Sequence, residues 1–228
     1  MPRAVLTDDP PALSTRTVAP SFAATLRDGT AAVHREAERT GLIADLIRGR
    51  ATRHGYALLL RNLVPVYTAL ETALEAHRET PVVSIFADPR LRRLQPLQRD
   101  LVALVGEGWA GSCPLLPQAQ AYAAAVEAAR ADAPRLLAHA YARYLGDLSG
   151  GQILKPVLAR TLGLGPEMLG FYDFPALADV VATKAAIRDA IDAIPADDAA
   201  AASIVTEAVS AFRHNIAVSE AVQAAAAD

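Results

Sequence analysis

The 228-residue chain is 52% hydrophobic and 21% charged, with a formal net charge of −3. That balance suits one compact domain with a sizeable core and argues against bulk attraction to nucleic acid. Cys113 is the single cysteine, which excludes an intrachain disulfide or a cysteine-only metal cluster and fits a reducing, cytoplasmic setting.

Residues 1–21 include Asp8-Asp9-Pro10-Pro11 and lack the apolar stretch of a signal peptide, so they read as a loose leader. From Phe22 onward helical periodicity dominates. It predicts helices over 22–39, 41–49, 53–78, 89–106, 117–130, 132–162, 175–193 and 196–224, with breaks at Gly55, Pro81, Gly106–Pro117, Gly163–Gly170 and Pro195. The expectation is one all-α domain over 22–222, packed more like a globin than a regular bundle, with an alanine-rich tail at 223–228. No stretch reaches about 18 uncharged apolar residues, so no membrane anchor is expected.

In the first helix Arg27, His34 and Glu38 fall within about 40° of one another. A carboxylate one turn after a histidine can hold one ring nitrogen and leave the other free for a metal. An isolated pair at this spacing is more often a surface contact, and the spacing alone leaves both readings open. Of the other histidines (His54, His77, His139 and His214), His139 is the main rival as a ligand, because it precedes the glycine-rich stretch. In 53–75, Leu59, Leu63, Val66 and Leu70 form a buried stripe, Pro65 is expected to kink the helix, and Tyr67 needs a hydroxyl partner if it is buried. Residues 86–130, with Trp109 and Tyr122, read as packing.

The most informative stretch is 138–155. Leu137, Tyr141, Tyr144 and Leu148 recur as one face of a helix, yet Gly146, Gly150 and Gly151 interrupt it. Each glycine costs a helix roughly 1 kcal/mol relative to alanine. By α-helical spacing Arg143, Gly146, Asp147 and Gly150 share one side, a face of bare backbone with one acid and one base. Such a face suits either a tight helix crossing or close approach to a flat ligand. Farther on, Lys184 and Arg188 lie four residues apart, a like-charged pair that an anion would relieve.

The run Tyr141-Ala142-Arg143-Tyr144-Leu145-Gly146-Asp147-Leu148-Ser149-Gly150-Gly151-Gln152 closely resembles the distal-helix signature of heme oxygenases. Ala32-Val33-His34-Arg35-Glu36-Ala37-Glu38 is similar to the family's proximal helix. Phe171-Tyr172-Asp173-Phe174-Pro175 and Ala211-Phe212-Arg213-His214-Asn215-Ile216 resemble later segments in the family's order. The matches span roughly residues 22–220.

The resemblance implies a single-domain helical fold with heme b between a proximal helix and a kinked, glycine-rich distal helix. His34 would be the axial iron ligand and Glu38 its orienting partner, while His139, in a His-Ala-Tyr similar to one the family does not use as its ligand, would be structural. Arg27, Lys184 and Arg188 would hold the propionates, while Tyr141, Ser149, Gly151 and Phe212 would contact the porphyrin. Gly146 and Gly150 would leave room for oxygen on the distal face. Asp147, with Arg143, Tyr67 and Asn215, would hold the water that supplies a proton. The implied reaction converts heme, O2 and reducing equivalents to biliverdin (the α isomer expected), carbon monoxide and ferrous iron. A ferredoxin or flavoprotein reductase would be the electron donor, and a monomer is expected. Ala142 and Pro156 depart from the familiar pattern without touching the implied ligand or acid. The alternatives are a heme carrier without turnover, or a helical scaffold in which both charged pairs are surface contacts.

Overall fold

The structure, a computed structural model, describes residues 21–227. Among them there is no strand, only helices joined by short turns. The expected leader lies outside the described residues except for Ser21, which is the N-cap of α1 (Phe22–Ala37) and accepts a hydrogen bond from the Ala24 N–H at 3.3 Å. Helix α2 (Gly41–Ile47) follows, then α3 (Arg53–Ala76), which Thr52 caps through the Gly55 N–H.

Helix α3 is the central element. Leu59, Leu63, Val66 and Leu70 are buried as the periodicity predicts, and Tyr56, Leu58 and Leu60 on other faces are fully buried as well. A helix apolar around most of its circumference must be surrounded. It packs on α4 (Leu94–Val105), α6 (Pro117–Ala128), α7 (Ala133–Ala140) and α10 (Asp198–Ala225). Each leucine fully buried there contributes about 2 kcal/mol. Pro65 is accommodated within a continuous α3, as Pro156 is within α8 (Gly146–Leu162).

Three expected helices differ in detail. The predicted 89–106 helix opens with a 3-10 turn at Pro89–Leu91 before α4 begins. Glu71 reaches across from α3 and accepts from the Arg93 and Leu94 N–H groups, and so sets where α4 starts. The predicted 175–193 helix begins later, as α9 (Val180–Asp192), because Asp179 caps it through Val181 and Ala182 at 2.7 and 3.0 Å. The 132–162 stretch divides into α7, a π-helical segment Tyr141–Leu145, and α8. A short α5 (Trp109–Ser112) sits in a stretch predicted to be a break. Helix α10 runs to Ala225, close to the predicted end at 224 and into the alanine-rich tail.

Two contacts anchor the glycine-rich helix from outside. Gly163 ends α8 in the left-handed conformation (φ +61°), and Arg53 at the start of α3 donates to the carbonyls of Leu162 and Gly163 at 2.7 and 2.6 Å. Gly151 lies against the buried ring of Tyr172, where an added Cβ would come within 2.7 Å of Cδ1.

Candidate functional site

A cavity of about 500 Å³ opens between α1 on one side and the Tyr141–Leu145 segment with the start of α8 on the other. The C-terminal half of α9 and Phe212 of α10 complete its walls. Asp192, near the end of α9, accepts from the Ala23 N–H at 2.7 Å and so ties one wall to the first turn of another.

On the α1 side, His34 stands half exposed at the cavity. Its Nδ1 is 3.7 Å from Glu38 Oε1, and the Phe212 ring meets its imidazole edge-on at 5.5 Å between centroids. Nε2 is thereby left as the nitrogen free to ligate. Val33, the neighbour of His34 on the buried side of α1, packs into a small apolar cluster with Ala142, Ala211, Phe212 and Ile216. That cluster fixes the angle at which α1 presents His34. It also explains Ala142: the residue is buried among apolar side chains and offers nothing polar to the cavity.

On the facing side the π-helical segment has a consequence that α-helical spacing did not anticipate. A wider turn makes the following residues lag the α-helical phase by roughly a quarter of a turn. Gly146 and Ser149 therefore line the cavity, while Asp147 points into the protein and is buried. The expected single face of Arg143, Gly146, Asp147 and Gly150 is split into an open glycine surface and a polar group behind it. A Cβ added at Gly146 or Gly150 would meet nothing within 4 Å. Gly151 is the exception among the three glycines. It faces Tyr172 and serves packing, so the expected ligand contact at Gly151 is replaced by a structural one.

Behind the glycine face, Tyr67 donates a short hydrogen bond to Asp147 Oδ2 and accepts from Arg143 Nε and Nη2 at 3.0 and 2.8 Å. Arg143 Nη2 also reaches Asp147 Oδ1 at 3.1 Å, and Nη1 donates to Asn215 Oδ1 at 2.5 Å. The Asn215 amide in turn donates to the Tyr122 hydroxyl (3.4 Å) and the Ala211 carbonyl (3.1 Å). Four residues singled out in the sequence thus form one network, with Tyr122 as a member that sequence reasoning assigned to packing. No local signal distinguishes Tyr122, since its role depends on where α6 meets α10.

Burial sets the electrostatics of this network. It pushes the Asp147 carboxyl above the ordinary carboxylate range, against the pull of Arg143 and the Tyr67 hydrogen bond. Burial also works against the Arg143 charge, but Tyr67 and Asp147 outweigh it and hold the guanidinium firmly protonated. The Tyr67 phenol is raised well above its usual value, chiefly by burial, and Tyr122 is pushed up to about 12 for the same reason. The result is a rigid, buried acid held by neutral phenols and one fixed cation.

Of the cationic residues expected here, Arg27 and Arg188 line the cavity. Lys184 stands at the rim instead, with Nζ 3.5 Å from Ser149 Oγ. Tyr141 lines the cavity and is half buried. Arg35, Asp189 and Asp192 also line it and were not anticipated. His139 is fully buried between α7 and α10, its Nε2 3.1 Å from Glu207 Oε1, and burial lowers its pKa. It is structural, as expected. No cluster of three or more His, Cys, Asp or Glu residues able to hold a metal occurs among the described residues. No helix among them is long and apolar enough to cross a membrane.

A cavity with one histidine on one wall and bare glycine backbone on the other fits a planar metallocycle better than a free ion. Comparison with known proteins agrees. The heme oxygenase family model matches residues 20–221. Heme oxygenase 1 of Synechocystis sp. is 38% identical over 197 residues, covering 86% of this chain and 82% of the relative. Human heme oxygenase 1 is 34% identical over 202 residues, covering 87% and 70%. The crystal structure of Synechocystis heme oxygenase-1 in complex with heme superposes with a TM-score of 0.85 at 35% identity, over 91% of this chain and 95% of that one. With the fold, the proximal and distal segments and these relatives in agreement, the chain belongs to the heme oxygenase family.

Proposed function

We propose that this protein cleaves heme oxidatively to biliverdin, carbon monoxide and ferrous iron, using dioxygen and an external electron donor. The observation that carries this reading is the pairing of half-exposed His34 with an open glycine face backed by a buried proton-bearing network. A carrier needs the first feature but not the second. Heme, once bound, supplies both the iron that activates dioxygen and the ring that is opened.

The chain's own residues divide the remaining work. His34 offers Nε2 to iron while Glu38 and the edge of Phe212 hold its ring. Arg27 and Arg188 pair with the propionates, for which a guanidinium is geometrically suited, and Lys184 closes the rim over Ser149. Their placement selects the meso edge turned toward the distal face, with α as the expected isomer. Gly146 and Gly150 keep that face clear of side chains. Asp147 holds a water past Gly146 and passes a proton to it, with Tyr67 and Arg143 fixing the carboxyl and Asn215 fixing Arg143. A ferredoxin or flavoprotein reductase is the expected donor, docking near basic surface around the heme edge. Cys113 is a buried free thiol, in keeping with a reducing cytoplasm.

The direct test is turnover of protein loaded with one equivalent of heme, supplied with oxygen and a reductant, beside His34→Ala. Conversion of the Soret absorbance into biliverdin is expected, with a ferric spectrum that depends on His34. A stable stoichiometric Soret band despite confirmed reduction would identify a carrier instead.

A further inference from the structure

A second cavity, of about 560 Å³, lies between residues 89–99 and 170–176, walled by elements that do not line the histidine cavity. Its walls carry Arg90, Arg92, Arg93 and Arg99 against the carboxylates of Glu71 and Asp173. Asp173 is already paired with Lys155, and Glu71 accepts from the first amides of α4. Arg90 holds Asp88 and Arg92 holds Glu75, while Arg99 is exposed and has no acidic partner among the described residues.

Arg93 is the unusual member. Its side chain is buried, with its guanidinium over the Phe174 ring at 3.8 Å. Nε donates to the Leu91 carbonyl at 3.0 Å, and Nη1 donates to the carbonyls of Phe171 and Asp173, the former at 3.2 Å. Nη2 has no protein acceptor among the described residues. Nη2 is therefore open to solvent, and a guanidinium pinned by three backbone carbonyls with one arm turned outward is preorganised for an oxyanion. Arg99 and the free arm of Arg93 are thus the donors left for an anion, with the already paired Arg90 and Arg92 adding positive charge beside them.

We propose that this arginine-lined cavity binds a small organic polyanion through carboxylate or phosphate oxygens, with Arg93 Nη2 and Arg99 as its principal donors. The site is separate from the one assigned to heme and does not rest on that assignment. Arg93 also acts on the Asp147 carboxyl from behind, pulling it down against burial, so an anion seated here offsets part of a charge felt by the distal network.

The test is calorimetric titration of the full chain with citrate and, separately, glycerol 3-phosphate, at constant ionic strength set with chloride. Saturable binding of at least one is expected at millimolar concentration or below. Arg99→Gln combined with Arg92→Gln is expected to weaken it about tenfold, equivalent to about 1.4 kcal/mol. Arg27→Gln with Arg188→Gln is expected to leave it unchanged, which separates this site from the histidine cavity. The arginines replaced on the groove lie on exposed positions, so a matching circular-dichroism melt checks that the fold is intact. Which probe binds distinguishes carboxylate from phosphate selectivity. No saturable binding of either, binding insensitive to the groove variant, or binding lost in the Arg27/Arg188 variant would overturn the proposal.

Discussion

Asp147 illustrates how one residue's chemistry depends on its burial. Its carboxyl is shielded from solvent, accepts from Tyr67 and Arg143, and is raised in pKa by desolvation. Asp147→Asn keeps the shape, can accept from only one of Tyr67 and Arg143, and removes the titratable proton. Heme binding is expected to persist while biliverdin yield per heme falls at least about tenfold. Undiminished yield, measured by absorbance and chromatography, would remove Asp147 from the proton path. The cations divide in the same way. Arg188 lines the cavity, whereas Lys184 is at the rim on Ser149. Arg188→Ala is expected to weaken heme affinity by about tenfold, the scale of one charged hydrogen bond, and Lys184→Ala by much less. Replacing both should also change the proportions of biliverdin isomers, and an unchanged profile would count against propionate anchoring by this helix.

At the scale of an element, the distal helix contains two kinds of glycine with different roles. Gly146 faces open space and Gly151 faces a ring. Gly146→Ala should hold or raise stability by up to about 1 kcal/mol, through helix propensity, while lowering heme affinity or turnover. Gly151→Ala pushes a methyl into Tyr172, which stacks on Tyr56 and packs edge-on with Phe171. It should cost about 1–3 kcal/mol of unfolding free energy. Denaturant titration of the two variants checks the contrast, and equal stability losses would refute it. Five residues of ordinary α-helix set the two glycines about 140° apart, and the π-helical segment upstream fixes which side of α8 meets the cavity.

For the whole molecule, the turn after α8 is fastened to α4 by Asp100, which accepts from the Gly170 and Phe171 N–H groups at 3.0 and 2.7 Å. Burial raises its pKa from 3.8 to about 6. The folded state therefore binds more protons than the unfolded state between those values. Its contribution is full below about pH 4 and declines as pH rises through about 6. Asp100→Asn is expected to be less stable by about 1–3 kcal/mol, having lost acceptor capacity, and to lack this decline. Urea denaturation near pH 4.5 and pH 6.5 measures both effects, and an identical pH slope in the variant would exclude Asp100 as its source.

The helical class, the buried stripe of α3, His34 with Glu38, and the distal signature were all legible along the chain, because periodicity and contiguous motifs depend on neighbours in sequence. Arg143, Tyr67, Asp147 and Asn215 were named from the family resemblance, but their union into one network required α3, α8 and α10 to meet. Tertiary structure alone decided that Asp147 turns inward behind Gly146, that Gly151 packs on Tyr172, that Lys184 sits at the rim, that Tyr122 extends the network, and that α4 begins where Glu71 caps it. The physical reason is phase and distance. A single π turn rotates everything that follows it, and a hydrogen bond between residues some 70 positions apart exists only once the helices carrying them are packed.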